Sequence, residues 1–188
     1  RQAAAIGHEL GNHTLFHPCL YQTRGETRDW LPKRYKMEHY TRDEFLKELR
    51  IANVLLHAID GKSERSFAYT CGDSHVGQNE SIIADLQDIF PAARDIGDMP
   101  ESLDSLNVWQ VPSIAAQNMS GDELIAHVKQ AEKNGALAVF LFHGVDERHL
   151  PVSEPALTEL LNYLAANRDR IWTDTFLNVM QHIHQKRQ

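Results

Sequence analysis

Three histidines, two glycines, a carboxylate and a proline fall within twelve residues near the start of the chain, Gly7-His8-Glu9-Leu10-Gly11-Asn12-His13-Thr14-Leu15-Phe16-His17-Pro18. His13 and His17 are four residues apart, a spacing that stacks two side chains on one face of a helical turn. Neutral imidazoles held that way form half of a divalent metal site and leave other positions to oxygen ligands and substrate. The spacing alone carries little weight. Eleven histidines in 188 residues give on the order of one such pair by chance, so the meaning of this pair depends on its surroundings.

Further along, His143 follows the uniformly apolar run Ala136-Leu137-Ala138-Val139-Phe140-Leu141-Phe142 and precedes Gly144. A histidine emerging from a core strand is tunable as a general acid or base near neutral pH; the plainer alternative is a histidine that caps a strand end. Tyr69-Thr70-Cys71-Gly72-Asp73 leaves its strand through a glycine. Backbone N–H groups in such a turn can converge into an oxyanion hole, and Asp73 could ligate metal or orient an imidazole. An ordinary Gly-Asp turn accounts for the same residues. Arg94 is a candidate partner for a catalytic carboxylate or equally a surface ion pair. His8, His75 and His149 read as loop polar residues. No GxSxG, HExxH or glycine-rich phosphate loop occurs, so serine-hydrolase, zincin and nucleotide readings have no support.

The elements that must position these residues alternate. A helix ends near Gly7, and Cys19 to Tyr40 has no sustained period and reads as a long surface loop, the kind that shapes sites. Thr41 with Glu44 forms a capping box opening a helix whose apolar face is Phe45, Leu49, Ala52, Leu55 and Leu56, ending near Asp60-Gly61. A strand is expected over 66–70, a helix over 81–90, strands near 92 and over 108–114, and a capped helix from Ser120 and Glu123 to Gly135. The run 136–142 fits a strand buried on both faces. A helix over 155–166, a short strand at 171–173 and a helix from Thr175 to His184 complete the chain. This alternation predicts a parallel α/β sheet or barrel in one domain, residues 1–188, with chemistry at the carboxyl ends of strands.

The totals narrow the partners. A formal charge of −7 argues against nucleic acid, and no apolar run approaches the ~18–20 residues of a membrane span. Arg1-Gln2-Ala3-Ala4-Ala5 is no hydrophobic leader, and the chain reads as starting mid-element. Cys19 and Cys71 form no CxxC, which excludes a zinc-finger framework; they could pair as one disulfide, although ordinary buried thiols are the simpler expectation. Trp109 and Trp172, in strand-like stretches, are expected in the core. Nothing in the sequence bears on oligomeric state.

Taken in order, Gly-His-Glu-Leu-Gly-Asn-His-Thr-x-x-His-Pro, Phe-Ala-Tyr-x-x-Gly-Asp, Leu-Phe-His-Gly and Ile-Trp-x-x-Thr-Phe-x-x-Val resemble the polysaccharide deacetylase family (carbohydrate esterase family 4, the NodB homology domain), over about residues 3–183. The resemblance implies a distorted, incomplete (β/α) barrel lacking its first strand here, and hydrolysis of N- or O-acetyl groups from an acetylated carbohydrate. It also implies His13 and His17 as ligands of a divalent metal, commonly Zn, and Thr14 as the brace of their loop. His143 falls on the general acid, Leu141 on the acetyl-methyl pocket, and Tyr69–Gly72 on the oxyanion turn with Cys71 as its donor. Asp73 and Arg94 are supporting candidates. Family analogy places such an enzyme in the periplasm or outside the cell. Two departures stand out. The family's paired aspartates, one a metal ligand and one the base, have no counterpart here, and they are expected on a segment ahead of residue 1. Ala68-Tyr69-Thr70-Cys71 also stands where the family often carries Arg-Pro-Pro-Tyr. The same scaffold without catalysis, a carbohydrate- or metal-binding module, is the alternative.

Overall fold

Parallel strand pairs and helices do alternate along the chain, but every strand pair is short. The computed structural model describes residues 1–23, 25–147 and 149–187. In chain order the elements are α1 (Gln2–Ala5), β1 (Gln22–Thr23), β2 (Glu26–Thr27), α2 (Arg42–Asp60), β3 (Phe67–Ala68), β4 (His75–Val76), β5 (Glu80–Ser81), α3 (Ile83–Leu86), β6 (Ala93–Arg94), β7 (Ile114–Ala115), α4 (Gly121–Asn134), β8 (Phe140–Leu141), β9 (Gly144–Val145), β10 (Pro151–Val152), α5 (Glu154–Ala166) and α6 (Phe176–Lys186). Pairs β3–β6, β7–β8 and β9–β10 are parallel, and β1–β2 and β4–β5 antiparallel.

The sheets are five separate two-stranded pairs. The distorted (β/α) barrel is therefore corrected to a mixed α/β arrangement in which no barrel closes among the described residues. Prolines help to explain this. Pro91 and Pro112 stand two residues before β6 and β7, and a residue without an N–H cannot extend a ladder. At β3 the run is cut on its other side by Cys71, whose φ is +57°. The apolar run 136–142 pairs only at Phe140–Leu141 and is half-buried along its whole length, not covered on both faces. No strand forms at 171–173, and Trp172 is exposed; the expected helix over 81–90 holds helical geometry only over Ile83–Leu86.

The chain divides into two compact units. The first comprises residues 1–95, 108–110 and 175–188, and the second residues 96–107 and 111–174. In the first, α2 opens on the expected capping box, with Thr41 accepting from the Glu44 N–H and the Glu44 carboxylate returning to the Thr41 N–H, and it stops at Gly61 in the left-handed region. It buries Phe45 and Leu49 against Met37, Phe67, Tyr69, Val76, Ile82, Leu86 and Phe90, and Ala52 is buried as well. Leu55, expected on that face, is exposed, as are Ile51, Val54 and Ile59. The loop from Cys19 to Tyr40 contributes to this core through Met37, and it carries the β1–β2 hairpin. In the second unit α4, capped by Ser120 and Glu123 and ended by Gly135, packs on α5, whose N-cap is Ser153. Leu124, Val128, Val152, Ala156 and Leu160 form the core there.

Candidate metal centre

Within the first unit three chain segments run parallel: Asn12 bridges to Phe67, and β3 pairs with β6, Ala68 opposite Arg94. The histidine loop begins where the first of these segments ends. Its foundation is Asn12, fully buried and fully satisfied. The Asn12 side-chain NH2 donates to the Leu49 carbonyl (2.9 Å) and to Asn53 Oδ1 (2.7 Å), both on α2, while its own Oδ1 accepts the Thr14 N–H at 2.9 Å. Those partners fix the amide orientation, because a carbonyl can face only the NH2 and an N–H only the oxygen.

The pair does not lie on a helical turn. Thr14 and His17 both adopt positive φ, +65° and +52°, and the loop doubles back instead. Each such residue costs roughly 1–2 kcal/mol, and specific bonds offset that cost. Thr14 Oγ1 accepts the His17 N–H at 3.0 Å, the bracing role that the family resemblance assigns it. Glu48 of α2 accepts the N–H groups of Leu15 (2.9 Å) and Phe16 (3.0 Å) on one carboxylate oxygen. Pro18 is a sequence signal against a helix that the spacing reading passed over, since it disfavours the α conformation at His17.

The loop nevertheless brings the two imidazoles together, with ring centroids 4.9 Å apart and planes at 80°. Both side chains are exposed. His13 Nδ1 lies 2.8 Å from the Ala68 carbonyl, an acceptor only, so Nδ1 donates there. A backbone anchor on the far nitrogen is the orientation device typical of metal-ligating histidines. His17 Nδ1 lies 3.6 Å from Cys19 Sγ. That sulfur carries no hydrogen, because Cys19 and Cys71 form a disulfide, Cα to Cα 5.9 Å across 52 residues. The contact therefore places Nδ1 against a sulfur that can only accept.

The disulfide corrects the expectation of ordinary buried thiols. It joins the end of the histidine loop to the turn after β3, where Cys71 and Gly72 both have positive φ. Asp73, buried at the end of that turn, accepts the Leu20 N–H at 2.8 Å and pairs with Arg28, which also donates to the Leu20 carbonyl at 2.8 Å. Burial pushes the Asp73 carboxyl up, against the lowering by Arg28 and the Leu20 N–H. Asp73 thus ties the loop to the turn. Tyr69 turns its side chain into the core and donates to the Trp109 carbonyl at 2.8 Å, and burial pushes its phenol up. Half-buried Arg94 lies beside Asp95, and desolvation holds its guanidinium below its ordinary value.

Glu9, left without a role by the sequence reading, is a further brace. Its carboxylate accepts from the Ser66 hydroxyl and, at 2.9 Å, from the Leu177 N–H in the first turn of α6. The His143 region belongs to the second unit. His143 is exposed two residues past β8, its ring centroid 5.8 Å from that of His149; Leu141 is half-buried in β8.

The donors fit a divalent cation in part. His13 and His17 offer two adjacent imidazoles, one fewer than the three protein ligands a catalytic zinc commonly keeps. Among the described residues the one set of three close metal-type ligands is His17, Cys19 and Cys71, and the disulfide occupies both of its sulfurs. Comparison with family models, with curated proteins and with solved structures finds no match to this chain.

Proposed function

We propose that this chain is a metal-dependent deacetylase of acetylated carbohydrates, a hydrolase of N- or O-acetyl groups resembling the polysaccharide deacetylase family. The observation that carries the reading is the strained loop that holds His13 and His17 edge to face with their Nδ1 positions engaged. These two residues would hold the metal, zinc suiting imidazole donors. Such an ion supplies Lewis-acid polarisation of an acyl carbonyl when bound. The family resemblance assigns His143 the proton delivered to the leaving amine or alcohol, Leu141 the acetyl methyl, and the Cys71 N–H the oxyanion. A periplasmic or extracellular setting agrees with the disulfide. Among the described residues no helix is long and apolar enough to cross a membrane.

Acetate release from N- and O-acetylated oligosaccharides and from an aryl acetate, with and without chelator, tests the reading. Release should stop with chelator and return with zinc, and His13→Ala and His17→Ala should each lose the metal. Release indifferent to chelator would sink it. A second reading, a non-catalytic carbohydrate- or metal-binding module, is favoured by the two-imidazole donor set; metal and glycan bound without acetate release would select it.

A further inference from the structure

We propose that the Cys19–Cys71 disulfide masks a second metal site, opened by reduction, in which the two thiolates and His17 bind a thiophilic divalent cation of the zinc type. The ligand atoms of these three residues lie within 4.8 Å of one another, and ligands about 2.0–2.3 Å from a tetrahedral zinc stand roughly 3.5–4 Å apart. Opening the disulfide separates the sulfurs towards that spacing. His17 Nδ1 already faces Cys19 Sγ at 3.6 Å. Side-chain hydrogen bonds also keep both ends in place without the disulfide: the Leu20 N–H, next to Cys19, and Arg28 converge on the Asp73 carboxylate, two residues beyond Cys71. Thr70 additionally donates to the Pro18 carbonyl, so the residues preceding both cysteines are tied as well.

The chemistry balances with a dithiol reductant. Two electrons and two protons from the dithiol convert the disulfide into two thiols, leaving the dithiol as a disulfide. Binding the cation then releases two thiol protons, and His17 supplies a neutral nitrogen. A neutral imidazole has a single lone pair. With its proton on Nδ1, His17 can serve the His13 pair through Nε2; with the lone pair on Nδ1, it serves the thiolates. One ring therefore cannot complete both sets at once, and reduction would move the cation from imidazoles to thiolates. The thiolate site itself stands without the deacetylase reading.

Cobalt(II) titration of the whole chain, oxidised and after dithiol reduction, tests this, with circular dichroism recorded on the same samples. Only the reduced protein should show thiolate-to-cobalt charge-transfer absorption, and it should keep its folded spectrum. In the reduced state His17→Ala should weaken cobalt binding by at least tenfold and His13→Ala should leave it within about twofold. Absence of the absorption, binding indifferent to His17, or binding only in a chain that has lost its folded spectrum would each overturn the proposal. Loss of cobalt binding in the oxidised His13→Ala and His17→Ala variants bears instead on the imidazole pair, so the two readings fail separately.

Discussion

The two histidine regions are built on opposite plans. Around His13 and His17, buried polar groups do the positioning: Asn12 and Glu48 beneath the loop, and the disulfide and Asp73 at its end. Around His143 short strand pairings and one side-chain bond shape the chain. β8 is two residues long, and β9 pairs with β10 two by two, with Gly144 opposite Pro151. Asp146, at positive φ, bonds through its N–H to the Val152 carbonyl (2.9 Å) and accepts the Glu154 N–H (3.2 Å). If the pair shares a cation as proposed, both rings need to be fixed in advance, and a strained loop held by buried bonds does this.

Removing the disulfide should break this contrast most strongly. Cys19→Ser with Cys71→Ser opens a closure of 52 residues, and the chain-entropy argument puts the loss at about 4 kcal/mol, read by urea unfolding. A loss below ~1 kcal/mol would mean that Asp73 and Arg28 hold the loop by themselves. Next comes Asn12→Ala, which leaves the Leu49 carbonyl and the Thr14 N–H without their buried partner. A cost of about 2–3 kcal/mol is expected, together with weaker metal binding by calorimetry; unchanged metal affinity would detach Asn12 from the loop's geometry.

A smaller effect concerns acid. Asp60, at the end of α2, pairs with buried Arg65, which also donates to the Leu10 carbonyl leading into the histidine loop. The Arg65 guanidinium holds the Asp60 carboxyl down at about 2, from 3.8. Because the folded value is the lower one, this pair's contribution is complete above about pH 4 and fades as the pH falls towards 2. Asp60→Asn should flatten the unfolding midpoint against pH in that window, and an unchanged slope would contradict the assignment. The smallest effect on stability belongs to the other region. His143→Ala removes an exposed side chain and should stay within about 0.5 kcal/mol of the parent in thermal unfolding, while lowering acetate release ~10²–10⁴-fold if it is the general acid. A marked loss of stability would show that this region too is held by its side chains.

Much of the helical framework was legible because it is written in local chemistry. Thr41 and Glu44, Ser120 and Glu123, Gly61 and Gly135 act over three or four residues, and each does in the structure what its type requires. The strands were far less legible. Ala136–Phe142 has the composition of a buried strand, but whether neighbours cover it depends on distant segments, and only two of its residues pair. Trp172 is apolar and still exposed for the same reason. At the candidate site the residue types pointed to His13 and His17, although the helical spacing used to pair them is not the conformation that brings them together.

The sequence by itself determined the ends of α2 and α4 and the presence of two imidazoles in a loop bounded by Gly11 and Pro18, since these follow from neighbours along the chain. The tertiary structure decided that the two cysteines pair, which carboxylates brace the loop and which backbone carbonyl anchors His13. Asp73 lies 53 residues beyond Leu20, and Glu48 33 beyond Leu15. Such partners are chosen by closing the chain through space, where a buried polar group must find its complement wherever the fold delivers one.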